Sequence, residues 1–194
     1  MKKYSILITG CSSGLGTFLA NKFESEGHMV MRHLGKNHHD LSTLEGVSAL
    51  ANEAKELEVN CLINNAAIVC PNICFGDYDH KLIDDMINVN LRAPVLLTSF
   101  LLTSLKKVVN INSMVGLEVK SPRTMYSSTK WGLRGFSNSL KKESDTLSIL
   151  DVYPTNIKTT PDRQNAMGIK MVVDKIYNAF VTNQEELILD GRKE

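Results

Sequence analysis

The feature that most constrains this chain is a turn with three glycines between an apolar segment and an amphipathic one. The turn reads ITGCSSGLG over residues 8–16, and Tyr4–Thr9 at its start has the apolar character of a short buried strand. Behind it, apolar residues recur at helical spacing from Leu15 to Phe23, and Gly27 ends the segment. Strand, glycine turn and helix is the order in which a glycine-rich segment can hold a phosphate group.

The three glycines have separate physical roles in such a turn. Gly10 can adopt a backbone conformation that a side chain would forbid, Gly14 lets a pyrophosphate approach the main chain, and Gly16 lets the helix lie close to the sheet. The helix start offers unpaired N–H groups to an anion, and the hydroxyls of Ser12 and Ser13 add donors. The spacing Gly-x-x-x-Gly-x-Gly differs from the general dinucleotide pattern, so the turn alone leaves a purely structural role open.

Strand-like and helix-like segments alternate along the chain, whose 194 residues suit one substantial core. Such alternation gives parallel strands with helices on both faces. We therefore expect an α/β fold, a Rossmann-like doubly wound parallel sheet flanked by helices on both faces, formed by residues 1–194 as a single domain. The further predicted strands are His28–Arg32, Cys61–Ala66, Lys107–Ser113, Leu147–Tyr153 and Glu185–Leu189, and the further helices are Thr43–Leu57, His80–Leu105 with a kink at Pro94, Tyr126–Glu143 and Lys170–Phe180.

Composition excludes several kinds of partner. The net charge of +1 gives no reason to expect binding to nucleic acid or to an anionic membrane surface. The N-terminal apolar run is too short for a signal peptide, and no stretch reaches the length of a membrane span. We therefore expect a cytoplasmic protein.

Metal binding is not expected from the spacing of the cysteines and histidines. In the cytoplasm the four cysteines are expected to be reduced thiols. Cys70 and Cys74 form a Cys-x-x-x-Cys pair without a second pair, and His38 and His39 are adjacent without ligand spacing.

Tyr126 and Lys130 are the first candidates for chemistry. In the segment YSSTK they lie four residues apart, so a helix places both side chains on one face. A phenol that works near neutral pH needs a pKa about 2–3 units below the ~10 of free tyrosine, and an ammonium held close in a cleft can supply that. Ser113 ends a predicted strand and could hold a carbonyl oxygen beside the tyrosine. A solvated Tyr-x-x-x-Lys pair without function remains the alternative for these two residues alone.

The motifs taken together resemble the short-chain dehydrogenase/reductase family. TGCSSGLG, NNAA, NVN, a serine at the end of a strand and YSSTK follow one another in this order, and the resemblance covers about the whole chain. It implies an enzyme that transfers a hydride between NAD(P)(H) and a small-molecule carbonyl/alcohol pair.

The resemblance also implies roles for particular residues. Tyr126 would exchange the proton with the substrate oxygen and Ser113 would orient that oxygen. Lys130 would lower the tyrosine pKa and bind the nicotinamide ribose, and Asn90 would hold a water that passes protons to Lys130. The residues implied at the pyrophosphate are Gly10, Ser12, Ser13, Gly14, Leu15 and Gly16. Asn64 and Ala66 would border the adenosine side, Asp40 would lie near the adenine ring, and Thr159 would meet the nicotinamide carboxamide. Leu41 and Pro154 would be further cofactor contacts, in addition to Tyr126 and Lys130.

The second predicted strand favours NADP(H) over NAD(H) as the cofactor. An enzyme that selects NAD places an acidic side chain at the end of this strand, where it accepts hydrogen bonds from the ribose. Here the chain has no acidic residue before Asp40, and Arg32, His33 and Lys36 can bring positive charge to a 2′-phosphate. Ordinary solvated loop charges remain the alternative.

Several points depart from the family pattern or stay open. Ala67 and Thr155 stand where the family has glycine, which affects the backbone on the nicotinamide side. Arg123, Lys158 and Arg163 are either contacts for an anionic substrate or solvated loop charges. A catalytically silent nucleotide-sensing protein and a nucleotide-sugar-modifying relative are the alternative functions. The predicted helices His80–Leu105 and Tyr126–Glu143 are apolar on more than one side, so we expect a homodimer or homotetramer.

Overall fold

A computed structural model describes residues 2–69, 73–159 and 166–192. Its strands are β1 (Ser5–Ile8), β2 (Met29–Arg32), β3 (Cys61–Asn64), β4 (Lys107–Ile111), β5 (Ser148–Pro154), β6 (Ile157–Lys158), β7 (Met167–Gly168) and β8 (Glu186–Leu189). Its α-helices are α1 (Gly14–Ser25), α2 (Leu44–Glu56), α3 (His80–Ile87), α4 (Ala93–Leu101), α5 (Thr124–Glu143) and α6 (Ile169–Val181).

Six of the strands form one parallel sheet in the order β2-β1-β3-β4-β5-β8. The chain moves from β1 outward to β2 and then returns to the other side of β1 with β3. The order therefore reverses between β1 and β3, and a crevice opens beyond their carboxyl ends. The predicted α/β class and the Rossmann-like doubly wound sheet are confirmed.

Both faces of the sheet are covered by apolar side chains from helices. On one face, Leu19 and Phe23 of α1 and Ile176 of α6 pack in a cluster with residues of the central strands. On the other face, Leu50 of α2 and Leu97 of α4 belong to a second cluster. This burial on both faces explains why β1 and β3 are almost continuously apolar.

The predicted continuous helix His80–Leu105 is interrupted in the structure. A wide π-type turn over Asn88–Arg92 separates α3 from α4. Pro94 follows within the first turn of α4 and lacks the N–H group that would bond to the carbonyl of Asn90 in a regular helix, which favours the wide turn. Across the described ranges, no helix has the length and apolar character needed to cross a membrane.

Candidate active site

The glycine turn after β1 leaves backbone donors open toward the crevice. Gly10 has a φ of +73°, and a Cβ there would lie 2.9 Å from the Cα of Ala66. Both the backbone angle and the lack of space therefore require glycine. Ser13 is the N-cap of α1, but its side chain makes no capping hydrogen bond. The first-turn N–H groups of α1 therefore keep their capacity to bind an anion, assisted by the helix dipole.

The segment after β3 holds this turn in place. The side-chain amide of Asn65 donates to the carbonyls of Thr9 and Gly10 at 2.8 and 3.1 Å. The Thr9 hydroxyl accepts from the backbone N–H groups of Asn65 and Ala66, both at 3.0 Å. Gly16 packs beneath, where a Cβ would come within 2.1 Å of the Gly10 carbonyl oxygen. The close helix–sheet contact predicted for Gly16 is therefore present.

Lys130 and Tyr126 meet at the other end of the crevice, on one face of α5. The Lys130 ammonium is buried, donates to the Ile111 carbonyl at 2.9 Å, and lies 5.7 Å from the centre of the Tyr126 ring. Burial lowers the pKa of Lys130 to about 8. An ammonium with this pKa can change its protonation state near neutral pH, which suits a group that supports proton transfer.

Asn112 links the strand that carries Ser113 to the helix that carries Lys130. Its side-chain amide donates to the backbone carbonyl of Lys130 at 3.1 Å, while its oxygen accepts from the N–H of Ser113 at 2.9 Å. Asn112 is buried, so these bonds are shielded from water. The position of α5 relative to the end of β4 is thereby fixed. Asn112 was not among the predicted site residues.

Asn90 is buried in the wide turn between α3 and α4 and makes three hydrogen bonds. Its oxygen accepts from the N–H of Ile68 at 2.7 Å, and its amide donates to the Ile68 carbonyl at 2.9 Å and to the Thr129 hydroxyl at 3.3 Å. These bonds tie the segment after β3 to the residue preceding Lys130. Asn90 does not line the crevice in the described part of the chain.

The crevice is a cavity of about 860 Å³ that collects most of the predicted site residues. Ala67 and Thr155, the two departures from the family pattern, also line it. The predicted residues in its wall are Gly10, Ser12, Ser13, Gly14, Leu15, His33, Lys36, Asp40, Leu41, Ala66, Ser113, Arg123, Tyr126, Lys130, Pro154 and Thr159. Among the described residues, the predicted ones outside its wall are Gly16, Arg32, Asn64, Asn90 and Lys158.

Arg32 is placed away from the cavity, contrary to its predicted contact with a 2′-phosphate. It pairs in register with Ile8, and its guanidinium binds Glu24 at 2.8 Å and Asn21 at 2.7 Å, both on α1. Strand alternation explains this position, because successive side chains of β2 point to opposite faces of the sheet. The Arg32 guanidinium, which was predicted to bind a phosphate, is instead paired with the Glu24 carboxylate in a salt bridge.

His33 lines the cavity, but both of its ring nitrogens are engaged. Nδ1 accepts from the N–H of Gly10 at 3.2 Å, and Nε2 donates to the carbonyl of His39 at 2.8 Å. Burial lowers the pKa of His33, which favours this neutral ring. His33 therefore supports the glycine turn, and Lys36 remains as the basic side chain of the predicted group that faces the cavity.

Lys36 and Asp40 face each other across the turn after β2. The Lys36 ammonium lies 3.2 Å from the Asp40 carboxylate, and its side chain is 73% exposed. The same carboxylate accepts from the N–H and hydroxyl of Ser42 at 2.9 and 2.7 Å. Asp40 therefore orders the turn before α2, while the long Lys36 side chain can reach a group in the cavity.

Asn64 belongs to the interior of the sheet. Its amide donates to the Asn110 side chain at 2.8 Å, and Asn110 in turn donates to the hydroxyl of Ser137 at 2.7 Å. Of the two adjacent asparagines in NNAA it is Asn65, which was not predicted as a site residue, that lines the cavity. The predictions for Cys70 and Arg163 fall outside the described residues.

Comparison with known proteins identifies a matching family and several similar proteins. A family model described as short chain dehydrogenase matches residues 37–168, more than half of the chain. The mitochondrial D-beta-hydroxybutyrate dehydrogenase of Mus musculus is 28% identical over 208 residues, covering 86% of this chain. The 3-oxoacyl-acyl-carrier-protein reductase of Rickettsia prowazekii is 28% identical over 194 residues, covering 88% of this chain and 80% of that protein.

The lengths and folds of these relatives can also be compared. The aligned part of the chain spans 60% of the length of the mouse protein. Among solved structures, the bulky-bulky ketone specific alcohol dehydrogenase from Comamonas testosteroni superimposes with a TM-score of 0.86 at 21% identity, covering 97% of this chain and 86% of that one. At this identity the likeness concerns the fold.

Proposed function

The chain belongs to the short-chain dehydrogenase/reductase family, and from this premise we propose that it is an NAD(P)(H)-dependent oxidoreductase that interconverts a carbonyl and an alcohol. One observation carries the proposal. The glycine turn with its open N–H groups and the group of Ser113, Tyr126 and Lys130 line the same cavity. An anion-binding end and a proton-transferring end within one cavity suit a dinucleotide whose reactive ring reaches the second end.

The residues present fit a nicotinamide dinucleotide. Gly14 has a φ of +60°, which disfavours any side chain, and both Gly14 and Thr159, which follows β6, line the cavity where the dinucleotide would lie. Ser12 and Ser13 would donate to the pyrophosphate, and Asp40 and Ala66 would border the adenosine. The bound nicotinamide supplies a hydride to the carbonyl carbon, or accepts one from the alcohol.

The proposed proton transfer uses the side chains at the other end of the cavity. In the direction of reduction, the Tyr126 hydroxyl donates its proton to the carbonyl oxygen, which becomes the alcohol oxygen. Ser113 donates a hydrogen bond that orients this oxygen. The Lys130 ammonium stabilises the resulting phenolate and donates to the nicotinamide ribose.

Asn90 has an indirect place in this proposal. It holds the Ile68 backbone and the Thr129 hydroxyl, so it ties the segment after β3 to the turn of α5 that carries Lys130. The water that the family resemblance assigns to Asn90 would connect Lys130 with solvent and return the proton to Tyr126. This part of the relay stays a prediction.

We further propose that the cofactor is NADP(H) in preference to NAD(H), with Lys36 as the residue that reads the 2′-phosphate. Lys36 is the cavity-facing basic residue among the three that the sequence favoured, since Arg32 binds Glu24 and both nitrogens of His33 are engaged. A phosphate would compete with Asp40 for the ammonium and form a charge-assisted hydrogen bond with it.

A panel of ketones and aldehydes tests the activity and the cofactor preference together. We expect wild type to oxidise NADPH with at least one carbonyl compound, and its kcat/KM for NADPH to exceed that for NADH. In Lys36→Ala this ratio falls about tenfold, because a hydrogen bond to a charged group contributes about 1.5–3 kcal/mol. Lys106→Ala removes an exposed loop lysine outside the cavity and serves as the matched control. A wild type that prefers NADH, or a Lys36→Ala ratio equal to that of the control, contradicts the assignment to Lys36.

Assembly and the alternative functions remain predictions. Trp131 on α5 is 43% exposed and Leu102, just past α4, is 45% exposed, so both segments keep an apolar side chain at the surface, and the homodimer or homotetramer stays a prediction. A catalytically silent nucleotide sensor would bind the cofactor and leave every carbonyl of the panel unchanged. A nucleotide-sugar-modifying relative would return the hydride to its substrate without net oxidation of NADPH.

A further inference from the structure

Two adjacent histidines and a glutamate converge beside the adenosine end of the cavity. His39 Nε2 lies 2.9 Å from the Oε2 oxygen of Glu53, and His38 Nε2 lies 3.6 Å from the same oxygen. The two imidazole rings are 4.4 Å apart between centroids. One ligand atom from each of the three residues lies within 4.8 Å of the others, which is close enough for a single ion to contact all three.

The turn between β2 and α2 holds the histidines in this arrangement. The backbone N–H groups of His38 and His39 both donate to the carbonyl of Gly35, at 2.9 and 3.2 Å, and Gly35 has a φ of +94°. The carbonyl of His39 accepts from the buried ring of His33 at 2.8 Å. In an extended chain adjacent side chains point to opposite sides, whereas this turn directs both rings to one carboxylate.

We propose that His38, His39 and Glu53 bind a divalent transition-metal ion of the zinc class. Two imidazole nitrogens and a carboxylate oxygen are ligands that zinc accepts in tetrahedral sites, with water in the fourth position. Magnesium and calcium prefer ligand sets made of oxygen, so they are disfavoured at this site. One carboxylate against a divalent ion leaves a net positive charge next to the cavity wall.

The position of the site gives the ion a structural effect. Glu53 belongs to α2, while the histidines belong to the turn whose Gly35, Lys36 and Asp40 line the cavity. A bound ion joins the turn to α2 and restricts the wall of the cavity at the adenosine end. His38 is exposed, so the ion can enter from solvent.

This site departs from the sequence prediction of no metal site. The spacing of His38, His39 and Glu53 follows no recognised ligand pattern, because the third ligand comes from a separate helix. Only the folded turn brings the three side chains together.

Metal titration of the chelator-treated protein tests the proposal. We expect wild type to bind one Co²⁺ per chain with the visible absorption of a tetrahedral site, and Zn²⁺ to displace it. Glu53→Gln and the double variant His38→Ala/His39→Ala should each bind Co²⁺ at least about tenfold more weakly, since the loss of even an outer-shell partner costs 10–100-fold. Glu56→Gln on the same helix and His80→Ala at an exposed position are matched controls that should bind as wild type does.

Three results would overturn the proposal. They are the absence of stoichiometric Co²⁺ binding by wild type, equal binding by wild type and Glu53→Gln, and equal affinity for Mg²⁺. Circular dichroism without metal shows whether each variant is folded. Glu53→Gln exchanges a half-buried carboxylate for an amide of the same shape, so it remains informative if the double histidine variant does not fold.

Discussion

Replacing Tyr126 by phenylalanine is expected to lower kcat by about 10²–10⁴-fold, the range that general acid–base groups contribute. The substitution removes one hydroxyl and retains the ring that packs with Met86 and Val115. In the proposed binding mode the glycine turn at the other end of the cavity holds NADPH, so its Kd should stay within about twofold of wild type. Stopped-flow kinetics with any carbonyl compound that wild type reduces, together with a fluorescence titration of NADPH, measures both quantities.

Tyr177→Phe is the matched control for this experiment. Tyr177 lies on α6 in an aromatic cluster with Phe23 and Phe180, outside the cavity. It loses the same hydroxyl group and should keep the kcat of wild type. Turnover by Tyr126→Phe within a few-fold of wild type would refute the role of the phenol as the proton donor.

The second large effect is expected from Lys130→Met. This variant should lose about 10²-fold or more in kcat, since the phenolate loses its neighbouring cation. It should also bind NADPH at least about tenfold more weakly, because the proposed charged hydrogen bond to the ribose contributes about 1.5–3 kcal/mol. Unchanged cofactor affinity would remove Lys130 from the ribose site and leave only its role toward Tyr126.

The same substitution is expected to stabilise the fold near neutral pH. Burial lowers the pKa of Lys130 to about 8, below its value of about 10.4 in the unfolded chain. Between these two values the unfolded state binds more protons, so the stability of wild type rises with pH there and is lower below pH 8, where Lys130 is charged in both states. At pH 7 we expect the Tm of Lys130→Met to exceed that of wild type by at least about 2 °C, the shift that roughly 1 kcal/mol produces in a chain of this size.

Lys107→Met separates these effects from the general consequences of removing a buried lysine. Lys107 is equally buried, and its ammonium donates to the carbonyl of Phe180 and to Asn183 at 2.6 and 2.7 Å, outside the cavity. This control should keep wild-type kcat and cofactor affinity. A Lys130→Met variant with a lower Tm than wild type at pH 7 would contradict the cost assigned to the buried charge.

The features of the fold and site that could be predicted are those set by the spacing of residues close together in sequence. The glycine turn could be predicted because a short strand, three glycines and a helix are contiguous in sequence. Tyr126 and Lys130 could be placed on one face because four residues make one turn of α5. These features need no knowledge of how distant segments pack.

Features that depend on register or on distant contacts could not be read from the sequence. The face to which Arg32 points depends on its pairing with Ile8, which the apolar pattern of a four-residue strand leaves undetermined. The role of Asn65 depends on its contact with Thr9 and Gly10, more than 50 residues away in sequence. The meeting of His39 with Glu53 arises from a turn whose geometry no periodicity predicts.

The break between α3 and α4 has a related cause. Pro94 predicted a kink, but the wide turn begins six residues earlier, at Asn88. Within it the side chain of Asn90 bonds to Ile68 from the segment after β3. This tertiary contact favours the wide turn at Asn88–Arg92, and the proline weakens the regular helix there.

Transfer of deuterium from cofactor to product tests the central claim most directly. Wild type is mixed with NADPH carrying deuterium at C4 on the transferred face, in the presence of a carbonyl compound from the panel, and the product is analysed by mass spectrometry. We expect wild type to form an alcohol with one deuterium on the former carbonyl carbon, and Tyr126→Phe to form this alcohol at least about 10²-fold more slowly. A cofactor that binds but transfers no deuterium to any carbonyl compound of the panel, or a label that returns to the cofactor, would contradict it.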